Sequence, residues 1–242
     1  MFEFLKKKKE SLPFVSAVLA AGGNSSRMGG VNKLLEPLGD LPVIAHSLLA
    51  LEESDYVEEI VIAAGQQSLI EISEICRELG LSKPIRLING GRNRAESVYK
   101  ALCECSAESK YALVQDGARP FITQEFIRDT CEQAFLHHCA TVAVPVKDTI
   151  KIAEDGLIRQ TPDRSTLYAV QTPQVTDIDL LKGALVKAAQ EGLNITDDCS
   201  AVEYLGIHPV IVPGGYFNIK ITTPEDLVIA EALLEYRMNQ ME

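Results

Sequence analysis

The densest chemistry in the chain lies in Val15-Ser-Ala-Val-Leu-Ala-Ala-Gly-Gly-Asn-Ser-Ser-Arg27-Met-Gly-Gly-Val-Asn-Lys33. An apolar run of strand length ends in Gly22 and Gly23, and a loop of small residues then delivers Arg27 and Lys33, six positions apart. Glycines let backbone N–H groups approach phosphate oxygens, small side chains keep the loop open, and the two cations neutralise a polyphosphate. The loop reads as an anion site. It has neither the Gly-Lys-Ser/Thr of a P-loop nor G-x-G-x-x-G, so neither a kinase-type nor an NAD reading is favoured.

Two further strand ends carry candidates. In Asn89-Gly-Gly-Arg-Asn-Arg-Ala-Glu-Ser97, Gly90 and Gly91 allow backbone to lie against a flat base, and Arg94 and Ser97 can reach polar atoms. In Val114-Gln-Asp116-Gly-Ala-Arg119-Pro-Phe, a carboxylate precedes an Arg by three residues. A carboxylate facing a polyphosphate makes sense if a divalent metal lies between them, or if it orders the neighbouring cations. Arg164 and Lys220 bring the cations at strand tips and loop mouths, with Arg27, Lys33 and Arg119, to five. A lone cation is ordinarily solvated surface; five in a net-acidic chain point to a phosphate-rich site.

The rest of the reactive inventory reads as structure. His46 lies in an apolar helical pattern, and His137 and His138 suit a helix C-terminus. No His stands beside a Ser or Cys nucleophile, and Thr196-Asp197-Asp198 reads as an N-capped helix start, so a hydrolase triad is disfavoured. The six cysteines form no C-x-x-C pair and are expected as buried or half-buried free thiols.

Elements that could position these residues follow from hydrophobic pattern. Apolar, β-branched runs at 14–21, 59–64, 85–89, 111–115 and 141–145 alternate with amphipathic helical patterns at 42–51, 68–79, 95–105 and 124–137. That alternation predicts an α/β fold with a mostly parallel twisted sheet and helices on both faces. A last helix starts at Thr223-Pro224-Glu225-Asp226 and runs to about residue 237. Residues 146–168 break the alternation and read as a projecting β-arm, with Glu154-Asp155-Gly156 as its turn. A two-stranded ribbon cannot bury its own apolar residues, so packing on a second subunit completes it.

At 242 residues, 46% hydrophobic and 24% charged, the chain is expected to be one domain, with residues 1–13 a lead-in and no second catalytic domain. No run approaches the roughly 18 apolar residues of a membrane span. The lysines at 6–9 follow rather than precede a short apolar patch, which argues against a secretory signal and for the cytoplasm. A net charge of −11 disfavours nucleic acid as a partner and favours a small anion in a locally basic pocket.

The motif series Ala-Ala-Gly…Arg27-Met-Gly…Asn-Lys33, Gln-Asp116-Gly-Ala-Arg119-Pro-Phe, Val-Pro-Val-Lys-Asp-Thr149-Ile-Lys, Gln171-Thr172-Pro-Gln, Thr196-Asp-Asp-Cys-Ser and Asn218-Ile-Lys220-Ile-Thr-Thr-Pro-Glu-Asp resembles the 2-C-methyl-D-erythritol 4-phosphate cytidylyltransferase family, in order, over about residues 14–235. The resemblance implies a Rossmann-like nucleotidyltransferase fold. It also implies a reaction of non-mevalonate isoprenoid synthesis, in which CTP and the sugar-alcohol phosphate give a CDP-alcohol and pyrophosphate, with magnesium. It makes Arg27, Lys33 and Lys220 catalytic. The backbone of Ala20, Ala21, Gly22 and Gly23 would cradle CTP, and Gly90, Gly91, Arg94 and Ser97 would line its cytidine side. Asp116, Arg119, Thr149, Arg164, Thr172 and Lys220 would hold the second substrate. Thr149 and Arg164 would serve the partner subunit's site in a homodimer joined through the arm. Magnesium would ride mainly on the CTP phosphates, with Asp116 as candidate ligand. Gln115 stands where the family commonly has His, and Cys199 where it commonly has Ala. Two alternatives remain at this point: a ribitol 5-phosphate cytidylyltransferase and a non-catalytic nucleotide-binding protein.

Overall fold

The computed structural model of the chain describes residues 12–22 and 32–241; Gly23, Arg27 and most of the N-terminal lead-in lie outside the described residues. The first apolar run forms β1 (Val15–Ala21). A small hairpin of β2 (Pro37–Leu38) and β3 (Leu41–Pro42) leads into α1 (Val43–Glu52). There follow β4 (Glu59–Ala64), α2 (Leu69–Glu78), β5 (Ile85–Asn89), α3 (Arg94–Glu104), β6 (Tyr111–Asp116), α4 (Gln124–His137) and β7 (Cys139–Pro145). The chain then runs through β8 (Ile152–Glu154), β9 (Leu157–Gln160), β10 (Tyr168–Asp177), α5 (Ile178–Gln190), α6 (Asp198–Glu203), β11 (Val210–Pro213) and α7 (Pro224–Met241).

Alternation along the central strands builds two cores, because successive side chains point to opposite sheet faces. Val15, Ala17 and Leu19 of β1, Ile60 and Ile62 of β4 and Leu113 of β6 pack with Leu48 of α1, Ile72 of α2 and Ile127 of α4. Val18, Val61 and Val114, on the other face, pack with Val98 and Leu102 of α3, Leu181 of α5 and Val202 of α6. Both faces are therefore covered, as near-continuous apolar strands require. A third cluster, with Leu38, Phe121, Ile221 and Ala230, seats α7.

Seven strands lie in the order β11-β7-β10-β6-β1-β4-β5. β4 and β6 flank β1 and run parallel to it, so the order reverses at β1. In an open α/β sheet this switch point leaves a crevice beyond the strand carboxyl ends. Ala20 of β1 sits there in register with Asp116 of β6 and Ala63 of β4.

One strand departs from the sequence reading. The second limb of the expected arm does not stay outside: from Tyr168 the chain re-enters the sheet as β10, antiparallel to both β6 and β7. Its register shifts between Val170 and Gln174, across Pro173, which lacks a donor and disguises a central strand. β8 and β9 form a separate two-stranded ribbon. Asp155 and Gly156 turn it with φ of 51° and 77°, the positive pair a tight hairpin needs. The base of the excursion is tied by the Val146 N–H donating to Leu167 O, 3.0 Å. All six cysteines are free, and Cys103 is exposed rather than buried or half-buried, because it lies just off the α3 face formed by Val98, Ala101 and Leu102.

Candidate active site

Asp116 ends β6 at the switch point and is only 6% exposed. Its Oδ2 accepts from Lys220 Nζ at 2.6 Å, and its Oδ1 from Arg94 Nε at 3.2 Å. Arg119 Nε lies 3.8 Å from Oδ2. Three cations from three parts of the chain thus converge on one carboxylate. Their supports are rigid. The Asp116 N–H donates to Thr172 Oγ1 on β10 (3.2 Å), and Arg119 Nη1 donates to Asn218 O (2.7 Å). Asn218 is itself buried and donates to Thr172 O at 2.9 Å. Beneath the turn, Gln115 Nε2 and Ser47 Oγ both donate to Arg119 O, which gives Gln115 a structural task.

Arg94, in the first turn of α3, bridges two buried acids. Its Nη2 reaches Asp198 Oδ2 at 2.8 Å while its Nε holds Asp116. Burial works against the Arg94 charge, but Asp198 and Asp116 more than reverse that, so the guanidinium is held protonated more firmly than usual. The two acids respond in opposite directions. Burial pushes Asp116 up, but Arg94, Lys220 and Arg119 together hold its carboxyl well below the usual carboxylate range. Asp198 has one cation and two acidic neighbours; burial first, then Asp116 and Asp197, leave it raised despite Arg94. Arg119 is pulled down by burial and by Arg94, with Asp116 opposing.

A pH dependence follows. The depressed Asp116 value means that its stabilisation is present above the unfolded-state value, about pH 4, and is lost as pH falls through the folded value. Asp116→Asn is therefore expected to be less stable than the parent at neutral pH. The difference should shrink below about pH 4. Urea midpoints measured across that range check it; a gap that stays constant into acid would remove Asp116 as the source.

Arg94, Asp116, Arg119, Thr172 and Lys220, all singled out in the sequence, line one cavity of about 480 Å³ together with Gln174, Thr196, Asp197 and Cys199. Ser97, one turn along α3 from Arg94, faces the tips of β1 and β5 instead. Its Oγ accepts the Gly91 N–H at 2.9 Å and donates to Asn93 O at 2.8 Å. A Cβ on Gly90 would stand 3.0 Å from that oxygen, and one on Gly22 3.5 Å, so glycine keeps these backbones close together. The Ala20 carbonyl is used by the Gly117 N–H (3.0 Å), and Ala21 is buried in the sheet. Lys33 is half-buried in the turn before β2. Thr149 and Arg164 are exposed and do not line this cavity; Arg164 Nη1 donates to Lys147 O within its own excursion (2.6 Å). Arg27 and Gly23 lie outside the described residues.

Both Asp116 oxygens are taken by cations, and no cluster of three or more His, Cys, Asp or Glu suited to a metal exists among the described residues. The donor set does not fit a divalent ion held by the protein alone. Asp116 here is an organiser of cations. Sequence reasoning passed over Gln174, Asn218 and Asp198. Asp197 is indeed an N-cap, in a capping box with Ser200, but its neighbour Asp198 turns inward to Arg94. A second acid directly after a cap residue was the available signal.

A doubly wound sheet with glycines at two tips and clustered cations at a third defines an α/β protein of the nucleotide-handling class. The family model described as IspD, 2-C-methyl-D-erythritol 4-phosphate cytidylyltransferase, matches residues 15–236. The protein of that description from Halalkalibacterium halodurans is 44% identical over 220 residues, covering 90% of this chain and 96% of that one. Its counterpart from Caldanaerobacter subterraneus is 41% identical over 227 residues, with coverage of 91% and 98%. The crystal structure of 4-diphosphocytidyl-2C-methyl-D-erythritol synthase from Anaerococcus prevotii superposes with a TM-score of 0.83 at 28% identity, over 92% of this chain and 96% of that one. The chain belongs to the 2-C-methyl-D-erythritol 4-phosphate cytidylyltransferase family.

Proposed function

We propose that this chain transfers the cytidylyl group of CTP to 2-C-methyl-D-erythritol 4-phosphate, giving 4-diphosphocytidyl-2-C-methyl-D-erythritol and pyrophosphate for isoprenoid precursor synthesis. The observation that carries this reading, in a chain of that family, is the convergence of Lys220, Arg94 and Arg119 on Asp116 at the sheet's switch point. A phosphate oxygen of the acceptor attacks the α-phosphorus of CTP; the new P–O bond forms as the α–β bond breaks and pyrophosphate leaves. The nucleophile is already anionic at neutral pH, so no general base is required, consistent with a cavity that has no His on its walls. The task left to the protein is to bring two anions together in line and to stabilise charge accumulating at phosphorus and on the leaving group.

In this reading Lys33 and Arg27 serve the triphosphate, and Ser97 with Gly22, Gly90 and Gly91 shapes the cytidine side. Lys220, Arg119 and Thr172 serve the acceptor, with Asp116 keeping the cations in place. Arg94, assigned to the nucleotide from the sequence, lies against Asp116 and can serve either substrate. Magnesium belongs to the reading as a partner of the triphosphate, which supplies the oxygens that the protein does not. The enzyme is placed in the cytoplasm as a homodimer. Support for the dimer is the ribbon, where Ile152, Leu157 and Ile158 are 46%, 60% and 64% exposed, apolar area that two strands cannot cover by themselves.

Position-labelled CTP tests the transfer. Label on the α-phosphate should appear in the sugar product, and label on the γ-phosphate in pyrophosphate. Transfer of γ-label to the acceptor would mean phosphoryl rather than cytidylyl transfer and would refute the proposal.

A further inference from the structure

Asp198 has no part in the chemistry above, yet at 1% exposure it is more deeply buried than Asp116. Its surroundings fix it in place. The N–H groups of Asp198 and Cys199, at the start of α6, both donate to Gln174 Oε1, at 2.9 and 3.1 Å. Gln174 Nε2 donates in turn to Asp197 Oδ2 at 2.9 Å. Gln174 is buried on β10, two residues beyond the Thr172 hydroxyl that receives the Asp116 N–H. One strand therefore anchors both acids that Arg94 touches. A guanidinium is a planar fork, so carboxylates on two of its edges fix its plane as well as its position. Arg94 needs that: its side chain is 27% exposed at the cavity, and a long side chain left with one partner keeps rotamer freedom.

The charges also balance only with Asp198 present. Arg94, Arg119 and Lys220 against Asp116 alone leave two positive charges in excess; Asp198 reduces that to one. Without it Arg94 would draw closer to Asp116 and compete with Lys220, which has to remain available to substrate. We propose that Asp198 is a positioning residue for cytidylyl transfer: fixed by Gln174, it holds Arg94 at the edge of Asp116 so that Lys220 keeps its place beside the acceptor. The inference rests on the reading that Arg94 touches a substrate.

The test is a double-substitution cycle on the full-length enzyme, reading KM for the sugar-alcohol phosphate, kcat and thermal midpoint. Asp198→Asn keeps the shape and an oxygen for Nη2 but removes the charge; it is expected to raise that KM about tenfold, and Asp198→Ala more. A merely structural loss would reduce the amount of active enzyme, and so kcat, with KM unchanged. In an Arg94→Ala background Asp198→Asn should leave KM within about twofold, because the residue through which it acts is gone. An undiminished effect of Asp198→Asn without Arg94, or an effect on kcat and midpoint alone, overturns the proposal. If Arg94→Ala by itself leaves both KM values and kcat at parental levels, the placing of Arg94 in the substrate site fails, and the inference fails with it. Should the Ala variant not fold, the isosteric Asn variant decides.

Discussion

Asp116→Ala is expected to lower kcat/KM about a thousandfold, because removing one member of a buried charge cluster costs about 3–5 kcal/mol and each 1.36 kcal/mol is a decade in rate. Arg94, Lys220 and Arg119 would be left facing one another without the carboxylate that gathers them. The loss should fall more heavily on the sugar-alcohol phosphate than on CTP, since Lys220 and Arg119 are assigned to the acceptor. Asp116→Asn keeps the volume and the backbone link to Thr172 but not the charge, so it should share most of the kinetic defect. Steady-state kinetics with each substrate varied in turn checks this. Near-parental constants in the Asn variant would mean that shape rather than charge at this position organises the site.

The second large effect concerns the excursion after β7. If Arg164 serves the partner's site, an Arg164→Ala chain and a Lys33→Ala chain should each be nearly inactive, because every site in either homodimer lacks an essential cation. Mixed and allowed to exchange, they should recover activity. A heterodimer has one site with both wild-type groups and one with neither. Random pairing makes half the dimers heterodimers, so recovery should approach roughly a quarter of the parental rate. Absence of recovery after demonstrated exchange would mean that Arg164 acts in its own chain's site or in none.

Much of the fold was legible because its signals are local. The apolar run at 14–21 became β1, and the helical spacing at 124–137 became α4 with Thr123 as its cap. The mostly parallel sheet with helices on both faces followed from that alternation, and the order of the motifs identified the family to which the chain belongs. What stayed hidden depends on long-range contacts. β10 carries Pro173 in mid-strand and follows an arm-like excursion, so its burial between β6 and β7 could be known only once those neighbours were in place. Asp116 and Lys220 were visible as charges at strand ends, but nothing in their spacing, 104 residues apart, says that they touch. Gln171, Gln174 and Asn218 are neutral amides with no pattern of their own, and their part in wiring the cavity comes from burial and hydrogen bonds alone.

The central claim, that the acceptor gathered at the β6 tip is a methylerythritol phosphate, is tested most directly by the initial rate of pyrophosphate release from CTP and magnesium with the purified chain. Release should be fast with 2-C-methyl-D-erythritol 4-phosphate, at background without an acceptor, and far slower with ribitol 5-phosphate. Fast release with ribitol 5-phosphate and none with the methylerythritol compound, or none with either, would contradict it.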